Sequence, residues 1–334
     1  MGNILQKSKQ NHRGSLQRKH TNSGKQLQIL QEYLAGCSED KSKIIFEEGH
    51  QTILKVCKQY EIDVYECIFN TDAFPPHIFD DTWRVYYKGL RKFVPHYFGY
   101  EPNPTIQDKF NVRLQNLLDI RKDLSKGLLI DNQPVQIKPV SYLDLKIGTK
   151  CVLKSLDSPD YEEFKYLDDS TTTITYGFRV TGYCIFENCQ VKDYLCEDFS
   201  QTRTYDQVKQ AFTKILTSQS GQIAPRILIE RLILRIQELE QFLRQYSRAV
   251  ILGSSLFFTF ARDYYDEYEL YDSQLKIVDV NLIDMCHMEL MEKTEDKDWG
   301  FIKGLEETIK LLKDIISEKY DKTAEKQIQF KHGV

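Results

Sequence analysis

The spacing of hydrophobic positions predicts a chain built from both strands and helices. Residues 52–56 have the pattern of a strand that presents Lys55, and the apolar spacing that follows predicts a helix over residues 58–69. The same helical period predicts a long scaffold helix over residues 226–246 and another helix over residues 304–320. Each of these segments carries its apolar residues on one side, which is typical of a helix that packs against a core.

Other segments predict strands and their connections. Residues 138–150 read as an extended segment, residues 174–180 alternate with a period of two, and residues 275–283 form an apolar strand that ends at an acid. Residues 112–117 leave two interpretations open, a linker between two lobes or the start of an amphipathic helix. Residues 154–170 are helical in composition and notably acidic.

The composition narrows the class of protein. The chain has 334 residues, of which 41% are hydrophobic and 28% charged, which is ordinary for a globular protein. A net charge of -4 argues against a nucleic-acid partner, and no apolar run reaches the roughly 18 residues of a membrane span. The eight cysteines include no Cys-x-x-Cys motif, so we expect free thiols and a cytoplasmic, possibly also nuclear, location.

The first 27 residues differ from the rest of the chain. They contain several lysines and arginines, and the first acid is Glu32. This composition predicts a disordered basic tail. Contact of the tail with an anionic membrane is the alternative. The Gly2 start is typical of myristoylation, but Gln6 stands where that motif has Ser or Thr.

The candidate chemistry centres on Asp144 and Lys146, which Gly148 follows. On an extended backbone, residues two apart point to the same face, so the carboxylate and the ammonium group would project into one cavity. Alone, such a pair is typical of a surface salt bridge. Lys55 on a predicted strand and Asp284 at the end of another add a second cation and a second acid, as phosphoryl transfer requires.

Six motifs in order support a family assignment. They are Glu61-x-x-x-Tyr65-Glu66, Phe93-Val94-Pro95-x-Tyr97-x-Gly99, Asp144-x-Lys146-x-Gly148, Gly177-Phe178-Arg179-Val180-x-Gly182, Ser254-Ser255-Leu256-Phe257-Phe258 and Ile283-Asp284-Met285-Cys286-His287. Over about residues 50–320 the chain thereby resembles the inositol polyphosphate kinase family. The resemblance implies an α+β, two-lobed kinase-like fold, with an antiparallel sheet in each lobe and ATP bound between them.

The resemblance also implies a division of the chain and a set of site residues. The predicted parts are the tail at 1–27, an N-terminal lobe with hinge at 28–118, a C-terminal lobe with the phosphoryl-transfer site at 119–322, and a polar tail at 323–334. The residues expected to bind ATP, Mg²⁺ or substrate have distinct roles. For the nucleotide, Lys55 is expected to bind the phosphates and Glu66 to orient this lysine, Gln115 and Leu117 form the hinge, Asp144 lies by the ribose, and Ser254 lies near the nucleotide. For the metal, Asp284 is expected to hold Mg²⁺. For the transfer, Lys146 is expected to stabilise the transferred group, and Lys150 and His287 to contact the substrate.

The chain departs from the family pattern at three places. Pro139 lies one residue too early before Asp144, Gln115 replaces an acid, and residues 154–170 are acidic where basic residues are usual. The compact region between Gly148 and Gly177 most resembles the branch that phosphorylates inositol hexakisphosphate to a pyrophosphate. A multikinase of less phosphorylated inositols and a catalytically silent scaffold are the alternatives.

Overall fold

The computed structural model of the chain describes most of the residues between 44 and 321. The described ranges are 44–46, 51–73, 80–122, 129–130, 133–134, 140–151, 161–187, 190–196, 199–271, 274–285, 287–291 and 297–321. The predicted tails at 1–27 and 323–334 lie outside them. Within these ranges, no helix combines the length and the apolar character that crossing a membrane requires.

The N-terminal part is a small antiparallel sheet with two helices. The strands are β1 (Ile44–Phe46), β2 (Thr52–Cys57), β3 (Tyr97–Pro102) and β4 (Phe110–Gln115), in the spatial order β1-β2-β4-β3, and the helices are α1 (Gln59–Phe69) and α2 (Asp81–Leu90). Asp80 caps α2 by accepting hydrogen bonds from the backbone N–H groups of Thr82 and Trp83. A small core of Cys57, Ile62, Tyr65 and their neighbours joins α1 to this sheet.

The C-terminal part contains a second antiparallel sheet, in which the spatial order is β12-β11-β7-β8-β9. Its strands are β7 (Ser141–Ile147), β8 (Phe178–Glu187), β9 (Gln190–Cys196), β11 (Ser255–Phe260) and β12 (Val278–Ile283). Two short pairs, β5 (Leu129–Ile130) with β6 (Gln133–Pro134) and β10 (Ala249–Leu252) with β13 (His287–Leu290), lie outside it. The helices are α3 (Tyr161–Ser170), α4 (Thr173–Tyr176), α5 (Tyr205–Leu216), α6 (Arg226–Tyr246), α7 (Tyr268–Tyr271) and α8 (Trp299–Ile316).

The central strand β7 divides its side chains between the core and the cleft. Leu143, Leu145 and Ile147 are fully buried, and the strand packs against α5 and α8 on that face. Burial of each of these side chains contributes about 1.5–3 kcal/mol. Asp144 and Lys146 alternate with them and are only partly buried. The apolar face of the strand therefore fixes which way the acid and the base point.

The structure confirms the predicted fold class, since each part contains an antiparallel sheet. The helices predicted at 58–69 and 226–246 are present as α1 and α6. The helix predicted at 304–320 begins earlier, at Trp299, because the Asp298 side chain caps it by accepting from Phe301 N. Of the acidic helix predicted at 154–170, the described part is α3, and residues 154–160 lie outside the description.

Three other expectations are wrong. Residues 174–180 do not form one strand: α4 ends at Gly177, which adopts the left-handed conformation at φ 70°, and β8 begins only at Phe178. Residues 254–258 read in the sequence as the end of an apolar strand, but Ser254 lies between β10 and β11, and Ser255 begins β11. The expectation of free thiols holds for Cys57, Cys67, Cys151 and Cys184 but is wrong for Cys196, which is disulfide-bonded. The positions of the cysteines in the sequence do not reveal which of them the fold brings together.

Gly177 and Gly304 let two segments approach closely beside β7. A Cβ atom on Gly177 would lie 2.7 Å from the backbone nitrogen of Gly304. The carbonyl of Gly177 accepts a hydrogen bond of 2.8 Å from the N–H of Gly148, directly after the end of β7. The two glycines thereby allow α8 to pack directly against the turn that closes residues 149–176.

Gly177→Ala is expected to destabilise the protein more than Gly221→Ala. Both glycines have a positive φ, 70° and 79°, but nothing lies within 4 Å of a Cβ on Gly221. The left-handed conformation alone costs about 1–2 kcal/mol for a residue with a Cβ. The free energy of unfolding from urea denaturation should fall by about that amount in the control and further in Gly177→Ala. Equal losses would show that the close approach to Gly304 contributes nothing.

Candidate active site

A cavity of about 290 Å³ lies between the two sheets. Its lining combines residues of the N-terminal sheet, the connection after β4 and the C-terminal sheet. The apolar side chains of the lining include Ile53, Leu114, Tyr142, Phe257 and Ile283. The rings of Tyr142 and Phe257 stack with centroids 5.2 Å apart, so the floor of the cavity is flat and apolar. Lys55, Asp144 and Asp284 also line this cavity.

Lys55 joins the two parts of the molecule electrostatically. Its Nζ lies 2.6 Å from Glu61 Oε1 on α1 and 2.6 Å from Asp284 Oδ1, which is 229 residues away in sequence. Burial would lower the pKa of the ammonium group, but the nearby charges of Asp284 and Glu61 raise it well above its usual value. Lys55 therefore stays charged at the mouth of the cleft.

The predicted partner of Lys55 is wrong: the lysine pairs with Glu61 and not with Glu66. Successive residues on a helix are rotated by about 100°, and Glu61 lies one turn before the buried Tyr65, on the same face of α1. Glu66 is turned away from that face and accepts a hydrogen bond of 2.5 Å from the hydroxyl of Tyr97. Its contact is with strand β3.

Asp284 directly follows β12 in an unusual backbone conformation. Its φ is 58°, in the left-handed region that residues with a Cβ seldom adopt. The hydroxyl of buried Ser254 donates a hydrogen bond of 3.1 Å to the Asp284 carbonyl and so supports this conformation. Burial would raise the pKa of the carboxyl, but the charges of Lys55 and Lys146 and the hydrogen bond from Lys55 lower it to about 2.

Asp144 lines the cavity, and Lys146, two residues later on β7, lies close enough for its charge to act on the carboxyls of Asp144 and Asp284. Asp144 lies opposite Phe257 on β11 and Gly182 on β8, and a bulge at Thr181 follows in the β8 register. The Oδ1 atom of Asp144 is buried and receives no hydrogen bond from any described residue. Burial raises the pKa of this carboxyl, with the charge of Asp284 adding to the effect and that of Lys146 opposing it. Lys146 itself forms no salt bridge within the described ranges.

The residues after β4 form the connection between the two parts. β4 runs to Gln115, so the alternative that a helix starts at 112–117 is wrong. The Gln115 side-chain oxygen accepts a hydrogen bond from the backbone N–H of His96 at 3.3 Å, and the backbone N–H of Gln115 donates to the His96 carbonyl at 2.8 Å. The N–H of Leu117, which lines the cavity, donates to no residue in the described part of the chain. A ligand with an acceptor atom would satisfy it.

A buried ion pair holds the segment that follows Lys146. Arg179, which is 1% exposed and lies opposite Lys146 on β8, donates to Asp168 Oδ1 at 2.7 Å. The other oxygen of Asp168 accepts from the N–H of Cys151 at 2.9 Å. The acidic segment thus supplies a structural carboxylate, and α3 is fixed beside the end of β7.

The surface beyond Lys146 has few unpaired cations among the described residues. Lys150 is exposed, but Lys165 on α3 pairs with Asp169, and Glu162 and Glu163 of that helix are exposed. The backbone of His287 begins β13 opposite Leu252, and its side chain lies outside the description. The predicted substrate contacts of Lys150 and His287 remain predictions.

The sequence model of the inositol polyphosphate kinase family matches residues 128–313, more than half of the chain. The chain belongs to this family. Among solved structures it is similar to inositol phosphate multikinase Ipk2 from S. cerevisiae in complex with ADP and Mn²⁺, at 17% identity and a TM-score of 0.58 over 80% of this chain and 99% of that one. A second structure of an inositol phosphate multikinase, from work on its structure and engineering, matches at 16% identity and a TM-score of 0.50 over 77% and 100% of the two chains. A comparison with curated proteins gave no match.

The cleft of this inositol polyphosphate kinase fits a divalent cation bound together with a nucleotide. Among the described residues, no three His, Cys, Asp or Glu side chains group together as a metal site. Mg²⁺ in kinases is typically held by one or two carboxylates plus phosphate oxygens and water. Asp284, with its lowered pKa, provides such a carboxylate, and most other ligands would come from the nucleotide and water.

Sequence reasoning missed several residues of the kinase cleft. Glu61 was recoverable, because the spacing of Ile62, Tyr65 and Ile68 places it on the buried face of α1. Tyr142 and Phe257 appear in the sequence as ordinary strand residues, and Thr181 gains its position only through the bulge. No local pattern identifies them, since their meeting depends on the pairing of β7 with β8 and β11.

Glu61→Gln should weaken nucleotide binding by the kinase about tenfold or more, whereas Glu66→Gln should change it less than about twofold. The first substitution removes a charge-assisted hydrogen bond to Lys55, which contributes about 1.5–3 kcal/mol. The second leaves Lys55 untouched. Calorimetric titration with ADP measures both dissociation constants. Equal effects, or a larger effect at Glu66, would contradict the assigned pair.

Asp144→Asn should raise the free energy of unfolding of the ligand-free kinase at pH 7. Because the pKa of this carboxyl is higher in the folded than in the unfolded chain, stability is lost as the pH rises and the buried group ionises. The difference from wild type should disappear below about pH 4, where the carboxyl is protonated in both states. Urea denaturation at several pH values measures it.

The matched control is Asp63→Asn on the exposed face of α1, which should change stability by less than about 0.5 kcal/mol at any of these pH values. A loss of stability in Asp144→Asn at pH 7 would show that the charge of Asp144 is stabilised by the cleft.

Proposed function

We propose that this protein transfers the γ-phosphoryl group of ATP to inositol polyphosphates. The observation that carries the proposal is a group of two cations and two acids: Lys55, Asp144 and Asp284 line one cleft between two sheets, and the charge of Lys146 acts on both acids. Phosphoryl transfer depends mainly on positioning and on neutralising charge, and this set provides both. The likeness to a multikinase solved with ADP and Mn²⁺ supports a nucleotide in the same cleft.

The nucleotide would lie along the length of the cleft. Ile53, Leu114 and the stacked Tyr142 and Phe257 offer apolar surfaces to a flat base, and the N–H of Leu117 offers a donor to a ring nitrogen. Gln115 would contribute to nucleotide binding through its backbone. The presence of Gln where the family usually has an acid is therefore compatible with binding. Lys55, held by Glu61, would bind the phosphates, and Asp144 would lie by the ribose.

Lys146 and Asp284 flank the position of the transferred group. Lys146 has no salt-bridge partner in the described part of the chain, so its charge is available to the γ-phosphoryl oxygens. Asp284 would hold Mg²⁺, which when bound neutralises charge on the phosphate oxygens. Ser254 keeps Asp284 in its strained conformation, so the carboxylate is pre-positioned before the nucleotide arrives.

We further propose that the acceptor is inositol hexakisphosphate and the product an inositol pyrophosphate. An oxygen of an existing phosphate would attack the γ-phosphorus, and ADP would leave. Because such an oxygen is already ionised at neutral pH, no base has to remove a proton from it. Lys146 and Lys150 are the cations that would meet the substrate, with His287 beside them.

A multikinase that acts on less phosphorylated inositols is the second candidate. The exposed acids of α3, Glu162 and Glu163, lie on the helix that Asp168 ties to the catalytic strand, and they would repel the most highly charged substrates. The two solved structures reported above are also multikinases.

Incubation with ATP, Mg²⁺ and a panel of inositol phosphates from the tris- to the hexakisphosphate tests both candidates. Products are resolved by charge, beside Lys146→Ala, Asp284→Asn and the control Lys310→Ala, a lysine 62% exposed on α8. We expect a product more charged than inositol hexakisphosphate from wild type and the control. The two cleft variants should lose at least about 100-fold in rate, the usual effect of removing a transition-state contact.

If only the less phosphorylated inositols are converted, inositol hexakisphosphate is rejected as the acceptor and the protein is a multikinase. No turnover of any of them by a chain that is folded by circular dichroism would reject the enzyme and leave a scaffold that binds inositol phosphates. Full activity of Lys146→Ala would reject the assigned role of that lysine.

A further inference from the structure

A second and larger cavity, of about 810 Å³, lies in the C-terminal part and shares no lining residue with the nucleotide cleft. Strands β8 and β9, helix α5, the segment after it and residues Glu318 and Lys319 line it. Cavities that bind small molecules typically measure about 300–1,000 Å³. The kinase reaction proposed above uses none of these residues.

Arg262 is the unusual residue of this cavity. It is 5% exposed, and its guanidinium donates to two carbonyls, from Nε to Thr217 at 2.5 Å and from Nη1 to Phe186 at 3.3 Å. Asp263 and Glu187 act on it through space, but it forms no ion pair with any residue of the described ranges. A guanidinium has five N–H donors, so donors remain after these two bonds.

A buried charge without a counterion is costly, and an arginine does not lose its proton to avoid that cost. Burial lowers the pKa of Arg262, although nearby acids oppose the effect. An anion entering the cavity would supply the missing partner. The planar guanidinium binds two oxygens of a phosphate group at once, a geometry that chloride and a single water do not match.

The remaining lining of the cavity also favours an anion. It contains one arginine and four lysines against three carboxylates, so positive charges exceed negative ones by two. Lys209 pairs with Glu318 at 2.8 Å and Lys214 with Asp193 at 3.1 Å, which holds both ammonium groups at the cavity wall. Hydroxyl and amide groups of Thr213, Ser218 and Gln219 lie among them.

We propose that this cavity binds the phosphate group of a small phosphorylated molecule, with Arg262 as the anchor and Lys214 as a second contact. A phosphate from an inositol phosphate and one from a nucleotide share this chemistry. The site is separate from the cleft, so its occupancy does not depend on the proposed catalytic function.

Methyl NMR spectroscopy of the full chain with labelled isoleucines tests the proposal. Ile185 lines this cavity, whereas Ile53 and Ile283 line the nucleotide cleft, so their methyl groups report on the two sites separately. The chain is titrated with inorganic phosphate, inositol hexakisphosphate and ATP in separate experiments, and with sodium chloride at matched ionic strength. We expect a saturable shift at Ile185 with at least one phosphate compound and none with chloride.

Two variants and a control decide whether the shift comes from the proposed contacts. Arg262→Lys keeps the charge but loses the planar fork, and Lys214→Gln removes an ammonium group that is 54% exposed and leaves the two carbonyl bonds of Arg262 intact. Each should weaken the binding seen at Ile185 about tenfold, the effect of one charge-assisted hydrogen bond. Lys310→Gln on α8 should bind as the wild type does.

Comparison of the titrations identifies the source of the phosphate. A shift with inositol hexakisphosphate alone supports an inositol phosphate site, and a shift with ATP alone supports a nucleotide site. An Ile185 methyl that no phosphate compound moves would overturn the proposal. So would a shift that chloride reproduces, or one that persists unchanged in the folded Lys214→Gln variant.

Discussion

The bridge from Lys55 to Glu61 and Asp284 is the interaction on which the rest of the site depends. It joins a strand and a helix of the N-terminal part to the end of a strand in the C-terminal part. Burial lowers the pKa of the Lys55 ammonium group, and the charges of the two carboxylates more than offset this effect. The bridge therefore adds a charged contact at the cleft to the apolar core that the two parts share.

The two acids of the cleft illustrate how position sets chemistry. Asp284 is next to two lysines and has a pKa of about 2, so it is an anion under all physiological conditions and a poor base. Asp144 is on β7, which β11 separates from β12, and burial raises the pKa of its carboxyl. An aspartate side chain thus serves as a permanent negative charge at position 284, whereas at position 144 its protonation can change.

Much of the fold could be predicted from the sequence, because apolar periodicity records which face of each element is buried. α1 and α6 were predictable from that period, and so was the common face of Asp144 and Lys146. The strand expected at 174–180 failed because Gly177 ends a helical turn there, and alternation over so few residues also fits a turn followed by a strand. Hydrophobic periodicity does not indicate where a residue adopts a positive φ, as Gly177 does.

The pairing of Lys55 shows how far the contacts of the site can be predicted from the sequence. The arrangement of a strand lysine and a helix glutamate was predictable, but two glutamates were available on α1 and the rotation of the helix chose Glu61. Tyr142, Phe257 and Thr181 could not be found, because strand pairing over more than 30 residues of sequence brings them together. Arg262 likewise reads as one arginine in a charged segment until the fold buries it.

The hydrogen bond between Gly148 N–H and the Gly177 carbonyl has a consequence for how the family diversifies. The chain leaves β7 at Gly148 and returns to the same point at Gly177, so residues 149–176 form an excursion from the sheet whose two ends are hydrogen-bonded to each other. Strand β7 is held by β8 and β11 on either side and takes no register from that excursion. A change in these residues that keeps the ion pair between Asp168 and Arg179 is therefore expected to leave Asp144 and Lys146 in place, so this part of the chain can vary without disturbing β7.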